Sequence, residues 1–114
     1  MAVPVAYLKI KCLVVEDETS MRKTISNMLA RIGFESIATA GDGREALDII
    51  KAKPVDMVIS DVNMPVMSGI ELFKTIREDK NYDHMIFIFV TAEATRHTIA
   101  RAAEEGGDGY IIKP

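Results

Sequence analysis

Apolar residues are distributed along the chain in two patterns: short runs, and repeats at steps of three and four. Four short runs are almost continuously apolar and a fifth, residues 35–40, is less so, and each predicts a β-strand. The stretches between them carry apolar residues at steps of three and four, which is typical of helices packed on one side. The predicted strands cover residues 10–15, 35–40, 57–59, 86–90 and 110–112, and the predicted helices cover residues 21–32, 43–52, 69–79 and 95–105. Strands that alternate with helices in this way predict an α/β fold, a doubly wound parallel sheet with helices on both faces.

Local signals support several of these boundaries. Gly33 is placed to end the first helix in a left-handed conformation. Asp42 and Glu45 have the spacing of a capping box at the start of the second helix. The second strand is less apolar than the others, so we expect it at an edge of the sheet. The fourth helix has only Ile99 and several alanines to bury, so we expect it to be the most loosely held.

No helix is predicted after the fifth strand, which is followed only by Lys113 and Pro114. A doubly wound sheet of this kind normally has a closing fifth helix beside the first one. We therefore expect apolar side chains on that face to be exposed, and we expect association through it, for example as a dimer.

Length and composition indicate one soluble domain. The chain has 114 residues, 48% of them hydrophobic and 27% charged, which is ordinary for a globular protein. A net charge of −3 argues against direct binding of nucleic acid. No apolar run is long enough for a membrane span and the first residues do not resemble a signal peptide, so we expect a cytoplasmic protein. The single cysteine, Cys12, is interpreted as a buried core thiol.

Polar groups follow four of the five predicted strands. Glu16 and Asp17 come after the first strand, Asp61 after the third, Thr91 after the fourth and Lys113 after the fifth. The carboxyl ends of parallel strands share one edge, where ligands of such folds bind. Two carboxylates about 4 Å apart repel by about 4 kcal/mol at an effective dielectric near 20. A hard cation such as Mg²⁺ would offset that repulsion, and Lys113 would add a second positive charge.

Each of these residues also has an ordinary structural role. Glu16 and Asp17 could stabilise the start of a helix, Asp61 could be a turn residue and Thr91 a helix cap. Lys113 could be a solvated surface charge. Unrelated caps and turns would not be expected at matching strand ends, so the combination favours a functional site.

The same stretches resemble one family. The chain is similar to the receiver domain of bacterial response regulators, most of all to the single-domain chemotaxis type. The resemblance covers nearly the whole chain, so residues 1–114 are interpreted as one receiver domain that lacks the last helix. It is carried by LVVED at 13–17, AL at 46–47, ISDVNMP at 59–65 with Gly69, VTAE at 90–93 and GYIIKP at 109–114.

The resemblance implies a flavodoxin-like strand order, 2-1-3-4-5, and a phosphoryl-transfer reaction. Asp61 would accept a phosphoryl group from a phosphohistidine on a partner kinase. Glu16, Asp17, Asp61 and the backbone carbonyl of Asn63 would hold Mg²⁺.

The resemblance also implies how a signal would leave the domain. Thr91 and Lys113 would contact the phosphoryl oxygens. A shift of Thr91 would let Tyr110 rotate inward and change the face formed by the fourth helix and the fifth strand. That face would bind a downstream protein target. The domain would be a switch in a two-component system rather than an enzyme, with only self-catalysed phosphoryl transfer and autodephosphorylation.

Three departures and three alternatives accompany this interpretation. The missing last helix is the most serious departure. Glu16 stands where many relatives have an aspartate, and Val62 replaces an aromatic residue found beside the acceptor in the best-known chemotaxis members. Asp61-Val62-Asn63 also faintly resembles an aspartate-nucleophile phosphatase, although Asn63 cannot act as the general acid such an enzyme needs. A receiver-like structural module that is never phosphorylated is a second alternative. A flavin or nucleotide binder is a third, but no glycine-rich phosphate loop follows the first strand.

Overall fold

The computed structural model of the protein describes the backbone of residues 9–91 and 109–112 and the side chains of residues 9–90. Strands and helices alternate in these residues, as the periodicity predicts. The strands are β1 (Lys11–Val15), β2 (Ser36–Ala40), β3 (Met57–Asp61), β4 (Ile86–Thr91) and β5 (Gly109–Ile112). The helices are α1 (Thr19–Ile32), α2 (Gly43–Ala52) and α3 (Gly69–Arg77), and a 3₁₀ turn covers Lys80–Tyr82.

All five strands are parallel and lie in the order β2-β1-β3-β4-β5. This confirms the predicted fold class, the strand order and the position of β2 at an edge. The last residue of β1, Val15, pairs with Ala40 of β2 and with Ser60 of β3. The chain runs outward from β1 to β2 and then returns to the other side of β1, so strand order reverses between β1 and β3. A crevice for ligands is expected at the carboxyl ends of these two strands.

Two apolar cores cover the two faces of the sheet. Side chains alternate along each strand, so neighbouring residues enter different cores. On one face, α2 and α3 pack on the sheet through Leu47, Ile50, Leu72, Phe73 and Ile76, which contact Leu13, Val15, Val58, Phe87 and Phe89. On the other face, α1 packs through Ile25 and Leu29 onto Cys12, Val14, Met57, Ile59 and Val90.

The two faces of β4 are buried to different extents. Phe87 and Phe89 are fully buried and pack around Phe73, with ring centroids 4.9 to 5.7 Å apart. Ile86, on the α1 side of the same strand, is 41% exposed. Met28 and Ile32 of α1 are also exposed. Large apolar side chains are therefore accessible on the α1 side of the sheet.

Helix α1 ends as expected from its glycine. Gly33 has a φ of 122°, and its N–H donates to the carbonyls of Leu29 and Ala30. The next residue, Phe34, donates back to Leu29 at 3.1 Å. A positive φ is available to glycine at little cost, and these bonds satisfy carbonyls that the end of the helix would leave unpaired.

The capping box at the start of α2 is also present, with one difference. Asp42 Oδ1 accepts from the N–H of Glu45 at 2.8 Å. Glu45 Oε2 accepts from the N–H of Gly41 at 3.0 Å, one residue before the cap residue itself. The carboxylate of Glu45 thus ties the end of the preceding turn to the helix.

The region after α3 differs from the prediction. The helix ends at Arg77 rather than near residue 79. The carboxylate of Asp79 then accepts from the N–H of Asn81 at 2.9 Å and opens the 3₁₀ turn, where a loop was predicted. A short polar side chain that bonds the backbone two residues on stabilises a turn in place of a further helical turn.

The predicted fourth helix, residues 95–105, lies outside the described residues. No helix in the described part of the chain is long and apolar enough to cross a membrane.

Candidate functional site

The turn after β1 brings two acids to the edge of the sheet. Glu16 is 1% exposed and Asp17 is exposed. The N–H of Glu16 donates to the carbonyl of Ala40 at 3.0 Å, which continues the pairing of β1 with β2 by one residue. The carbonyl of Glu16 accepts from Nη1 of Arg22 at 2.7 Å. The backbone of Glu16 is therefore held on both sides.

Asp61 is the last residue of β3 and is 7% exposed. Its position follows from the buried strand before it, which pairs with β1 on one side and β4 on the other. The side chain of the preceding residue, Ser60, donates to the carbonyl of Asp61 at 2.9 Å. Asp61 Oδ1 accepts a long hydrogen bond, 3.4 Å, from the N–H of Asn63. Asp61 thus sits at the edge on a rigid element, with little solvent around its carboxylate.

The loop from Asp61 to α3 packs closely against the end of β3. The N–H of Gly69 donates to the carbonyl of Val62 at 2.9 Å. A Cβ at Gly69 would overlap the carbonyl oxygen of Asp61, so only glycine allows this approach. Ser68 then caps α3 by accepting from the N–H of Glu71 at 3.1 Å.

The carboxylates of Glu16, Asp17 and Asp61 converge. One oxygen of each lies within 4.8 Å of the others, although the residues come from two separate turns. This confirms the predicted proximity of the acids after the first and third strands. Three carboxylate oxygens at such distances repel one another and match the hard oxygen ligands that Mg²⁺ or Ca²⁺ takes in proteins. Two of the three groups are buried and the third is open to solvent, which leaves a side for a further ligand.

Comparison with known proteins gives a family for this arrangement. The family model described as "Response regulator receiver domain" matches residues 12–114. The chain is 43% identical to chemotaxis protein CheY-3 of Vibrio cholerae over 104 residues, which cover 91% of this chain and 80% of that protein.

Solved structures agree. Chemotaxis protein CheY4 of Vibrio cholerae has a TM-score of 0.84 and 36% identity, over 92% of this chain and 87% of that one. The response regulator TrrA of Thermotoga maritima, in complex with Mg²⁺-BeF, has a TM-score of 0.80 and 32% identity over the same shares.

The chain belongs to the response regulator receiver family. Receiver domains are signalling domains of two-component systems rather than classical enzymes, and they interact with histidine kinases or phosphotransfer proteins and with downstream targets. The family therefore favours the predicted signalling role over the phosphatase alternative.

Two further predicted site residues of this receiver domain, Thr91 and Tyr110, lie on β4 and β5. The last residue of β4, Thr91, pairs with Ile112 of β5, and Tyr110 pairs with Phe89. The side chains of Thr91 and Tyr110 are not among those described, and Lys113 lies outside the described residues. The register alone puts the end of β4 beside the end of β5, at the edge that carries Asp61.

Sequence reasoning missed Arg22 and Ser60. Arg22 stands in the first turn of α1, which has no acidic residue although acids are favoured there. A basic residue at such a position is a signal that could have been used. Ser60 is a fully buried hydroxyl inside an apolar strand, and a buried polar group generally has a specific hydrogen-bond partner.

Proposed function

We propose that this receiver domain is a phosphorylation-activated switch whose phosphoryl acceptor is Asp61. The observation that supports this most directly is the convergence of three carboxylates within 4.8 Å at the carboxyl ends of β1 and β3. Asp61 is the member of the three that terminates a central, fully buried strand. A nucleophile held on such a strand keeps one geometry while its partner approaches.

The transfer would run from a phosphohistidine of the partner kinase to Asp61. A carboxylate oxygen of Asp61 attacks phosphorus, an O–P bond forms and the P–N bond to the imidazole breaks. The electron pair of that bond returns to the ring nitrogen, which takes up a proton. The product is an acyl phosphate on Asp61. Attack by water on this phosphorus would break the bond to the carboxylate oxygen, release inorganic phosphate and return the free carboxylate, which would be the autodephosphorylation expected of the domain.

Glu16, Asp17 and Asp61 would hold Mg²⁺, with the backbone carbonyl of Asn63 as a further ligand. The oxygen-only donor set of the three carboxylates fits this ion, and a solved relative carries Mg²⁺-BeF. When bound, Mg²⁺ would neutralise charge on the transferring phosphoryl oxygens. The three carboxylates themselves supply the ligands and, without a cation, repel the incoming phosphoryl group.

Phosphorylation of Asp61 would change the surface of the domain through Thr91, Lys113 and Tyr110. Thr91 and Lys113 would contact phosphoryl oxygens, and a shift of Thr91 would admit the ring of Tyr110. The pairing of β4 with β5 supports this, because it makes Thr91 a neighbour of Ile112, next to Lys113. The face formed by β5 and the predicted fourth helix would then bind a downstream protein, in a chemotaxis-type pathway of the cytoplasm.

The test is exposure of the purified protein to acetyl phosphate with and without Mg²⁺, followed by intact-mass measurement. We expect a gain of one phosphoryl group that requires the metal, because the cation relieves repulsion between the donor and the three carboxylates. Asp61→Asn should abolish the gain. Asp48→Asn, which removes an exposed acid of α2, is the matched control and should label like the wild type.

Labelling that persists in Asp61→Asn would place the acceptor elsewhere. Absence of any labelling in the wild type would support a structural module that is never phosphorylated. Repeated turnover of small phosphate esters would instead support the phosphatase alternative.

A further inference from the structure

Arg22 is the basic residue that contacts the acidic turn. It lies in the first turn of α1, and its side chain is half-buried. Its Nη1 donates to the carbonyl of Glu16 at 2.7 Å, and its Nη2 donates to the hydroxyl of Thr19 at a longer 3.5 Å. The guanidinium thus reaches back over the turn that links β1 to its own helix.

The accepting carbonyl belongs to the peptide unit between Glu16 and Asp17. A planar peptide unit links the two α-carbons rigidly. Its orientation therefore decides how the two side chains are directed relative to each other. The N–H of Glu16 is already held by Ala40 of the neighbouring strand. The bond from Arg22 supplies the second anchor, on the side of Asp17.

Ordinary helix capping does not hold this turn. Glu18 is the N-cap residue of α1, and its side chain makes no capping hydrogen bond to the helix. The guanidinium of Arg22 also lies near the turn between β2 and α2, which contains Gly41. A Cβ placed on Gly41 would lie 3.4 Å from Nη1 of Arg22 and 3.5 Å from Oε2 of Glu45. Arg22 is therefore enclosed between the β1–α1 turn and the β2–α2 turn.

We propose that Arg22 is a positioning residue for the metal site. Its guanidinium orients the Glu16–Asp17 peptide so that both carboxylates are directed at Asp61. This inference rests on the proposed function only in taking the three carboxylates as the ligands of Mg²⁺. Outer-shell partners of this kind typically change metal affinity 10- to 100-fold when they are removed.

The experiment measures Mg²⁺ affinity by isothermal titration calorimetry, on protein stripped of metal, for the wild type, Arg22→Ala, Arg22→Lys and Lys23→Ala. Lys23 is the exposed neighbour on the same helix, so its removal changes the net charge equally. Circular dichroism melts in EDTA establish the folded fraction of each variant at the temperature of the titration.

We expect Arg22→Ala to raise the Kd for Mg²⁺ by about 10-fold or more. Lys23→Ala should lower the Kd by about twofold or less, because the lost positive charge repels the cation only weakly through salt-screened solvent. Arg22→Lys should be intermediate, because an ammonium can still donate to the Glu16 carbonyl but lacks the planar fork that reaches two acceptors. If Arg22→Ala does not fold, Arg22→Lys carries the test.

Equal Kd values for Arg22→Ala and Lys23→Ala would overturn the proposal. A Kd for Arg22→Lys equal to that of the wild type would overturn the role of the planar fork, since a single donor to the Glu16 carbonyl would then suffice. A wild-type protein that does not bind Mg²⁺ would overturn the metal site itself. If the wild type binds Mg²⁺ and Arg22→Ala binds it equally well, the metal site stands and only the role of Arg22 is overturned.

Discussion

Cys12 shows how burial decides the chemistry of a single residue. It lies in β1 with 2% of its surface exposed. Burial raises the pKa of its thiol from the ordinary 9.0 to about 11, and the nearby Asp56 carboxylate acts in the same direction. A thiolate is the reactive form of cysteine, so the thiol that the sequence assigned to the core is also chemically inert.

We expect the stability of the protein to fall between pH 9 and pH 11 because of Cys12. In this range the thiol of the unfolded chain ionises while the folded thiol keeps its proton, so a rise in pH favours unfolding. The raised pKa corresponds to a loss of about 1–3 kcal/mol across the window, and the contribution is fully present below pH 9. Urea unfolding at several pH values measures it.

Cys12→Ala is the reference, because it retains every other group that titrates in the same range. Its stability should fall less steeply with pH than that of the wild type. Parallel pH profiles for the two proteins would show that the thiol ionises equally in both states.

The loop between β3 and α3 contains a strained residue five positions after Asp61. Val66 has a φ of 68°, which is rare for a β-branched residue. The N–H of Met67 donates to the carbonyl of Pro65 at 2.7 Å. A bond across three residues with a positive φ at the centre is the pattern of a classic γ-turn. The side chain of Val66 is 81% exposed, so packing does not account for valine at this position.

Val66→Gly should stabilise the protein by about 1 kcal/mol. Strain of this kind costs about 1–3 kcal/mol, while the extra freedom of glycine in the unfolded chain offsets up to about 1 kcal/mol of the gain. Urea unfolding measures the difference. Val66→Ala keeps a Cβ, and we expect it to change stability by less than Val66→Gly. Destabilisation by glycine would show that the valine side chain makes contacts that outweigh the strain.

The elements themselves follow closely from local pattern. Helix α2 has the predicted bounds because both its cap and its apolar periodicity are local. The predicted end of α3 was wrong by two residues, because the Asp79 side chain accepts a hydrogen bond from the backbone beyond the helix and opens a 3₁₀ turn. Competition between a side chain and the helix is hard to judge from apolar periodicity alone.

At the scale of the molecule, the site depends on the whole sheet. Glu16 and Asp17 follow β1 and Asp61 ends β3, with α1, β2 and α2 between them in the sequence. An unfolded chain does not hold these three carboxylates within 4.8 Å of one another. A cation that binds all three will therefore bind the folded state only.

We expect Mg²⁺ to raise the melting temperature. At a concentration of 100 times Kd, binding to the folded state alone adds about 2.7 kcal/mol of stability. Differential scanning calorimetry at constant ionic strength measures the shift. Asp61→Asn should show a much smaller shift, because one of the three carboxylates is removed. A shift that NaCl reproduces would indicate general screening rather than a specific site.

The sequence by itself determined the alternation of strands and helices, the burial of Cys12 and the placement of Asp61 at the end of a buried strand. These follow from periodicity and from residues next to one another in the chain. The strand order came from resemblance to a family, because apolar periodicity does not distinguish which strands are neighbours. The site chemistry inferred from strand ends remains a proposal, supported by the family and by the geometry of the three acids.

Only the tertiary structure decided the separation of the carboxylates, the contact of Arg22 with the acidic turn and the strained conformation of Val66. Each depends on packing between segments distant in sequence or on backbone angles set by the surrounding fold. The sign of a side chain's charge is local information. Its distance from another charge is not, because that distance is fixed by how β1, β2 and β3 pack together.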